Sequence, residues 1–230
     1  MPRYLEKGTP FITILVPAHN EEASIESTIE HLEERMNYPT NQYEVVVVND
    51  GSTGQTGAIL NRLQTRYGEK RLRVITIINN RGKAAGFNIA LGFSKGQFLL
   101  SNDADSKPEV DALWKYMHYF EREGGDRLGA ITGNMLSINK TSLVAEAQQN
   151  ELNSIIGLIK RSQLSYGGLF AFFGANTMYR KAAVLDVGGW QAYFAPHIRF
   201  FMDVPETLPE LVKQRRRWDS CIINEIDGCL

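Results

Sequence analysis

Cysteine is almost absent from this sequence, which has only Cys221 and Cys229, both close to the end of its 230 residues. This scarcity excludes a disulfide framework and a CxxC metal site, and it favours a reducing compartment. The chain also has no excess of positive charge, since 25 Lys and Arg and 26 Asp and Glu leave a net charge of −1. Nucleic-acid binding usually requires a basic face, so we expect no nucleic-acid partner.

Long apolar runs are missing as well. No uninterrupted run approaches the roughly 20 residues that a membrane-spanning helix requires. The N-terminal residues lack the apolar segment of a signal peptide. We therefore expect a soluble or peripheral chain, or one cut from a membrane protein. Apolar residues make up 43% and charged residues 22% of the sequence, as in an ordinary globular domain.

What is present is an alternation of strand and helix patterns. The run at 11–16 is apolar and β-branched, and four valines at 45–48 indicate a parallel strand covered on both faces. Apolar residues at helical spacing follow at 21–36, with Asn20 as the predicted N-cap. This repetition predicts an α/β fold with a mostly parallel sheet flanked by helices. Further strands are expected at 72–78, 98–100, 128–132 and 192–196, and further helices at 83–94, 111–122 and 142–163.

Three acidic residues follow the ends of predicted strands: Asp50 after one strand, Asp103 and Asp105 after another. Ligands of parallel sheets bind beyond the carboxyl ends of the strands, so we expect these side chains on one edge. Carboxylate oxygens suit Mg²⁺ or Mn²⁺, which in turn can bind a diphosphate. Alone, each motif has a simpler interpretation, as solvated loop acids or as an Asx-turn at Asp50.

Two segments carry clustered positive charge. Residues 79–83 place Arg81 and Lys83 around Gly82 at a predicted helix start, where backbone N–H groups also favour anions. Residues 214–218 read Gln-Arg-Arg-Arg-Trp, and arginines bind phosphate bidentately while an indole can stack on a sugar. A polar loop and a basic helix at a membrane surface are the respective alternatives.

In their order and contexts, five motifs resemble the successive signatures of family 2 glycosyltransferases. They are Val-Pro-Ala-His-Asn-Glu at 16–21, Val-Asn-Asp-Gly-Ser-Thr at 48–53, Gly-Lys-Ala-Ala-Gly-Phe-Asn at 82–88, Asp-Ala-Asp at 103–105 and Gln-Arg-Arg-Arg-Trp at 214–218. The last motif resembles the QxxRW of the processive branch, which includes cellulose, hyaluronan and poly-N-acetylglucosamine synthases. The resemblance spans about residues 11–218.

The resemblance implies one GT-A catalytic domain over residues 1–230, Rossmann-like, with a nucleotide-binding half at 1–105 and an acceptor-side half at 106–230. It implies inverting transfer from a UDP-sugar donor to a polysaccharide or glycolipid acceptor, with Mg²⁺ or Mn²⁺ as cofactor. Membrane segments outside this chain and a location on the cytoplasmic face of the cell membrane are implied as well.

The resemblance also assigns roles residue by residue. The donor-binding residues would be Pro17, Ala18 and Glu21 at the nucleoside, Asp50 at the base, Lys83 near the nucleotide and Asp103 by the ribose or diphosphate. Asp105 would hold the metal. The residues at the diphosphate and acceptor would be Gly174, in a Phe-Gly-Ala-Asn segment like the family's acceptor-side loop, and Gln214, Arg217 and Trp218.

One part of the family pattern is missing. Inverting transfer needs a general base to take the acceptor's proton, and the family carries that Asp in a Thr-Glu-Asp-like segment between a Gly-Gly-Trp and a Val-Pro-Glu-Thr landmark. Here only residues 191–203 separate Trp190 from Val204. Asp203 is the only acid among them, but it adjoins the second landmark and is out of register with the base. No catalytic base is therefore identified.

Two explanations of this gap are open. A segment truly absent predicts a weak or inactive transferase, so the alternative function is a catalytically impaired domain that binds nucleotide sugars. We favour a segment omitted from the 230 residues, because 192–196 already resembles the strand that follows the base segment. An intact mass of 25.9 kDa would contradict the omission. A pyrophosphorylase-like enzyme is a third alternative, against which the motif at 214–218 argues.

Overall fold

The computed structural model describes residues 8–138, 142–152, 154, 162, 176–186 and 191–215. The described strands are β1 (Ile12–Ala18), β2 (Tyr43–Asp50), β3 (Leu72–Ile77), β4 (Phe98–Ser101), β5 (Ser106–Pro108), β6 (Leu128–Ser137), β7 (Thr177–Arg180) and β8 (Gln191–Met202). The described helices are α1 (Ile25–Glu34), α2 (Thr56–Tyr67), α3 (Lys83–Phe93), α4 (Ala112–Glu121), α5 (Leu143–Leu152), α6 (Lys181–Leu185) and α7 (208–215), and a 3-10 turn covers Gly125–Arg127.

The strands form one eight-stranded sheet in the order β3-β2-β1-β4-β7-β6-β8-β5. Strands β1 to β4 pair in parallel, and β6 pairs in parallel with β8. Strand β7 lies antiparallel between β4 and β6, and β5 lies antiparallel beside β8. The α/β class with a mostly parallel sheet and flanking helices is therefore confirmed, and the antiparallel β7 is an addition that the strand–helix pattern does not predict.

Both faces of the sheet centre are covered, as the four-valine run predicts. Val45 and Val47 face one apolar cluster, which α1, α2 and α4 complete. Val46 and Val48 face a second cluster on the other side, with Ala90 of α3. All four valines are fully buried, so β2 lies inside two layers of helix. This central burial fixes the strand ends from which the site is built.

The start of the first helix differs from the prediction. The helix begins at Ile25 and not after Asn20, and the residue at its N-cap, Ser24, makes no side-chain cap hydrogen bond. Asn20 instead adopts a left-handed backbone with φ of 54°. Its Oδ1 accepts the backbone N–H of Thr53 at 2.9 Å. The side chain that could have capped a helix therefore joins two loops.

Two other predicted elements differ in length. Strand β6 runs from Leu128 to Ser137, beyond the predicted 128–132, because it pairs with β7 and also along its length with β8. Of the helix predicted at 142–163, the described part is Leu143–Leu152, and most of the remainder lies outside the described residues. Within the described ranges, no helix is long and apolar enough to cross a bilayer.

Candidate functional site

Three parallel strands end close together, at Ala18, Asp50 and Ser101. Ala18 is level with Asn49 in the β1–β2 register. The N–H of Asn102, just past β4, donates to the Leu15 carbonyl of β1 at 2.9 Å. These strand ends and the loops that follow them at 19–24, 51–55 and 102–105 form the carboxyl edge of the sheet. As predicted, Asp50 and the Asp-Ala-Asp motif lie on this one edge.

The Asp-Ala-Asp loop is closed by a buried amide. The Asn102 side chain donates through Nδ2 to the carbonyl of Asp103 at 2.8 Å and to that of Ser106 at 2.9 Å. The loop therefore turns tightly, which gathers acidic side chains. The pKa of Asp105 is raised to about 6, first by burial and then by the negative charges of Asp103 and Glu21. Three carboxylates from two loops thus share one region of negative potential.

This crowding is suited to a divalent cation that arrives with its substrate. The described residues contain no group of three or more His, Cys, Asp or Glu placed to hold a metal alone. Mg²⁺-type ions commonly take only one or two protein carboxylates and fill their shell with phosphate oxygens and water. Asp103 and Asp105 provide that number, and a cation would offset both the burial and the repulsion that raise the pKa of Asp105.

Helix α3 brings positive charge to the same place. Lys83 is its first residue, and the Nζ atom lies 2.5 Å from Oδ1 of Asp103. Gly86, one turn later, lies against β1 and β2, since a Cβ built there would make ordinary contacts with Pro17 at 3.8 Å and with Val48 at 3.7 Å. Ala18, which ends β1, is buried. The predicted donor residues on β1 and α3 are therefore neighbours.

The Asp50 carboxylate faces the loop that precedes α3. Its Oδ1 accepts the N–H of Arg81 and its Oδ2 accepts the N–H of Gly82, both at 2.8 Å. Gly51 follows with φ of 66°, and a Cβ there would lie only 2.5 Å from the Asn80 nitrogen. The loop backbone therefore packs directly against the end of β2, a contact that spacing in the sequence does not reveal.

The loop after β1 is tied to β2 and α2 by His19, Asn20 and Glu21, of which sequence reasoning gave a site role only to Glu21. His19 donates through Nδ1 to the carbonyl of Asp50 at 2.7 Å, because a carbonyl can only accept. Its Nε2 is then the acceptor for Nδ2 of Asn20 at 3.3 Å. The N–H of Glu21 donates to Oγ1 of Thr56 at 2.9 Å. The one available signal was Asn20, since asparagine tolerates left-handed backbone better than most residues.

Most of the predicted acceptor residues lie outside the part of the chain that the structure describes. Gly174, Arg217 and Trp218 lie outside the described residues, as does the Gly-Gly-Trp landmark at 188–190. Gln214 is described on α7, where its Oε1 accepts Nε2 of Gln148 of α5 at 3.1 Å. The structure therefore brings Gln214 to α5.

Asp203 is exposed and lies one residue beyond the end of β8. The preceding residue, Met202, is the register partner of Ser106, which itself follows Asp105. The backbone of Asp203 therefore leaves the sheet close to the carboxyl edge. The prediction that Asp203 is not the general base stays a prediction.

Comparison with known proteins places this site in a family context. The chain matches the profile of "Glycosyl transferase family 2" over residues 13–188. It is 30% identical over 227 residues to the "Poly-beta-1,6-N-acetyl-D-glucosamine synthase" of Staphylococcus aureus (strain COL), covering 90% of this chain and 53% of that protein. The protein of the same name from Staphylococcus epidermidis gives the same figures. The chain thus spans about half the length of these curated relatives.

Solved structures share the fold. A mannosyltransferase, PcManGT from Pyrobaculum calidifontis in complex with GDP-Man and Mn²⁺, matches with a TM-score of 0.66 and 20% identity, covering 86% of this chain and 58% of that one. S. aureus TarS 1-349 in complex with UDP-GlcNAc matches with a TM-score of 0.59 and 18% identity, covering 86% and 59%. These likenesses confirm the GT-A fold, and at such identities they carry no more than the fold.

Proposed function

The chain belongs to glycosyl transferase family 2, whose profile covers residues 13–188, and from this premise we propose that it transfers a sugar from a UDP-sugar to a polysaccharide or glycolipid acceptor. The observation that carries the proposal is the meeting of Asp50, Lys83, Asp103 and Asp105 at the carboxyl edge. A lysine at a helix start beside paired carboxylates suits a diphosphate that brings its own cation.

The donor is best tested first as UDP-N-acetylglucosamine. The curated relatives are named as poly-β-1,6-N-acetylglucosamine synthases, and TarS was solved with UDP-GlcNAc. In the proposed arrangement Pro17, Ala18 and Glu21 line the nucleoside, and Asp50 faces the base. Lys83 and Asp103 lie beside the ribose and diphosphate. These assignments follow the family motifs, and the closeness of β1, β2 and α3 supports them.

The proposed chemistry is inverting displacement at the anomeric carbon. Asp105, with Asp103 beside it, would hold Mg²⁺ or Mn²⁺, and the cation would neutralise charge that develops on the departing diphosphate. Lys83 adds a second positive charge at the same place. The acceptor hydroxyl must lose a proton to a general base, and no residue of this chain is assigned that role.

The acceptor side is proposed to comprise α5, β8 and α7, within a single domain whose nucleotide-binding half is 1–105 and whose acceptor half is 106–230. Gln214 would lie at the diphosphate and acceptor together with Gly174, Arg217 and Trp218. A glycan or lipid acceptor, membrane segments outside this chain and a site on the cytoplasmic face of the membrane complete the proposal. The naming of the relatives as polysaccharide synthases supports the acceptor class.

Titration calorimetry with UDP tests the donor half. We expect Mn²⁺ to strengthen UDP binding by about tenfold or more, and Asp105→Ala to remove that gain, because the carboxylate that holds the cation is lost. Asp126→Ala, which removes an exposed carboxylate on the 3-10 turn, is the matched control and should leave the gain intact. UDP affinity that responds neither to Mn²⁺ nor to Asp105→Ala would contradict the proposal.

A catalytically impaired donor-binding domain is the second candidate, and the missing base segment between Trp190 and Val204 favours it. Both candidates predict UDP binding, so binding alone does not separate them. Sugar transfer or donor hydrolysis by the full-length protein, measured as UDP release, separates them. Release above that of the Asp105→Ala protein supports the transferase, and release equal to it supports the impaired domain.

A further inference from the structure

Both carboxylate oxygens of Asp50 accept hydrogen bonds from the protein itself. One accepts the N–H of Arg81 and the other accepts the N–H of Gly82, each at 2.8 Å, and the residue is only 4% exposed. Hydrogen bonds from backbone amides to a buried carboxylate are among the stronger ones in proteins. Asp50 therefore holds the loop before α3 in place whether or not a ligand is bound.

The loop requires such an anchor. Gly82 has a φ of 84°, and its N–H also points towards Oδ1 of Asn80 at 2.9 Å. A loop turned through a left-handed glycine is not held by regular helix hydrogen bonds on its preceding side. Asp50 supplies two acceptors there, directly before the first helical residue. Asp50→Asn places an NH2 group, which can only donate, where one of these two acceptor oxygens lies, so one of the two amides loses its Asp50 acceptor.

The side chain that depends on this anchor is Lys83. It follows Gly82 directly, and its Nζ lies 2.5 Å from Oδ1 of Asp103. A continuous chain of contacts thus runs from Asp50 through the backbone at 81–82 to Lys83 and on to Asp103. The anchored loop determines where the ammonium group lies relative to the carboxylates.

We propose that Asp50 is a positioning residue for Lys83, so that Asp50 strengthens the binding of the donor's diphosphate and not only of its base. The inference rests on the proposed function, since it names what one residue of that site does. A contact from Asp50 to the base is compatible with it, because each carboxylate oxygen keeps a second lone pair. The two roles differ in which part of the nucleotide loses affinity when the carboxylate is lost.

The test compares uridine, which lacks the diphosphate, with UDP in the presence of Mn²⁺. We expect Asp50→Asn to weaken UDP by about tenfold or more while uridine weakens by less than about threefold. Lys83→Met should reduce the ratio of UDP to uridine affinity in the same way. The double variant should lose little more than either single one, because both act on one contact. NMR titration for uridine and calorimetry for UDP give the constants.

A second readout needs no ligand. In the free protein, amide hydrogen exchange at Arg81, at Gly82 or at both should become faster in Asp50→Asn, while exchange at the centre of β2 stays slow. Lys83→Met should leave both amides protected, because their acceptor is intact. This contrast separates local release of the loop from general unfolding. Asp126→Asn, an exposed aspartate, is the matched control for both readouts.

Three results would overturn the inference alone. The first is that Asp50→Asn weakens the binding of uridine and of UDP by the same factor. The second is that the loss of UDP affinity in the double variant equals the product of the losses in the two single variants. Unchanged exchange at Arg81 and Gly82 in Asp50→Asn would also overturn it. A wild-type protein that binds neither ligand would overturn the proposed function and the inference with it, so the two failures are distinguishable.

Discussion

The carboxyl edge and the proposed acceptor side, which comprises α5, β8 and α7, are built from different kinds of contact. At the carboxyl edge, backbone amides approach strand ends directly, as at Asp50, and glycine lets two segments of main chain touch. On the proposed acceptor side, the described contacts between α5 and α7 run from side chain to side chain, as in the Gln148–Gln214 hydrogen bond and the ion pair of Arg215 with Glu151.

The apolar packing of the two regions also differs, because one lies on a large cluster and the other on a small one. The carboxyl edge stands on the large cluster that includes β1, β2, α1 and α2. Helix α5 packs on β6 and β8 through a separate small cluster of Met135, Ala145, Phe194, Met202 and Val204. Close-packed backbone tolerates added atoms poorly, whereas a side-chain contact can be removed with modest cost. We therefore expect the largest single-residue effects at the carboxyl edge.

The largest effect should come from Gly51→Ala. The backbone there has φ of 66°, and the new Cβ would lie 2.5 Å from the Asn80 nitrogen. Gly68→Ala is the matched control, since Gly68 has φ of 82° but nothing within 4 Å of its Cβ position. We expect Gly68→Ala to lower the free energy of unfolding by about 1 kcal/mol and Gly51→Ala by about 3 kcal/mol. Urea unfolding measures both.

UDP binding sharpens that result. Because the overlap at Gly51 pushes the loop at 79–82 away from β2, Gly51→Ala should also weaken UDP, while Gly68→Ala should not. Equal losses of stability in the two variants would show that the close approach at the carboxyl edge is not tight, and the contrast drawn between the regions would lose its basis.

The junction between the two regions gives the next effect. Asn176 adopts φ of 61°, donates its N–H to Ser101 at 2.8 Å and accepts the Tyr116 hydroxyl on Oδ1, also at 2.8 Å. Tyr116→Phe leaves that buried acceptor unpaired and should lower the free energy of unfolding by about 1–3 kcal/mol. Because Asn176 ends the Phe-Gly-Ala-Asn segment, sugar transfer by the full-length protein should fall while UDP affinity holds.

Tyr43→Phe is the matched control for this junction. Tyr43 is also buried, with 3% exposure, and its hydroxyl donates to the Leu32 carbonyl at 2.9 Å, away from Asn176. We expect a similar loss of stability with transfer rates unchanged. If both tyrosine variants lower transfer to the same extent, Tyr116 acts through stability alone and the junction does not couple the regions.

The same contrast explains how much the sequence could predict. Strand ends in a parallel sheet place Asp50, Asp103 and Asp105 on one edge, because that rule needs only the order of elements. The position of Asn20 could not be predicted, since its role depends on Thr53 in another loop. Nor could the use of both Asp50 oxygens by Arg81 and Gly82, which depends on how closely the backbone approaches.

The second half was less predictable for a related reason. Strand β7 enters the sheet antiparallel between β4 and β6, and β8 returns parallel to β6 with two irregularities in register. Such pairings join segments far apart in the chain, and local periodicity carries no information about them. The strand predicted at 192–196 is confirmed within β8, while its neighbours in the sheet became known only from the structure.

The smallest effect on stability should arise in the large apolar cluster, at the end of α1 that lies away from the carboxyl edge. The side chain of Glu33 is fully buried, with Oε2 at 2.7 Å from a guanidinium nitrogen of Arg71. Burial raises the pKa of Glu33 above its ordinary 4.5, the nearby Glu34 raises it further, and Arg71 opposes the shift. The folded protein therefore holds this proton more tightly than the unfolded chain does.

Stability should consequently be highest below about pH 4.5 as far as Glu33 is concerned, and this contribution is lost as the pH rises through the raised pKa. Glu33→Gln cannot ionise, so its free energy of unfolding relative to wild type should increase between pH 4 and pH 8, measured by urea unfolding at about four pH values. Glu123→Gln removes an exposed carboxylate and controls for the loss of charge itself.

UDP affinity should not change in Glu33→Gln. Glu33 lies in the last turn of α1, whereas the carboxyl edge adjoins the first turn of that helix. The prediction is contradicted if the free energy of unfolding of Glu33→Gln relative to wild type decreases as the pH rises. A loss of UDP affinity in Glu33→Gln would show that Glu33 is coupled to the carboxyl edge.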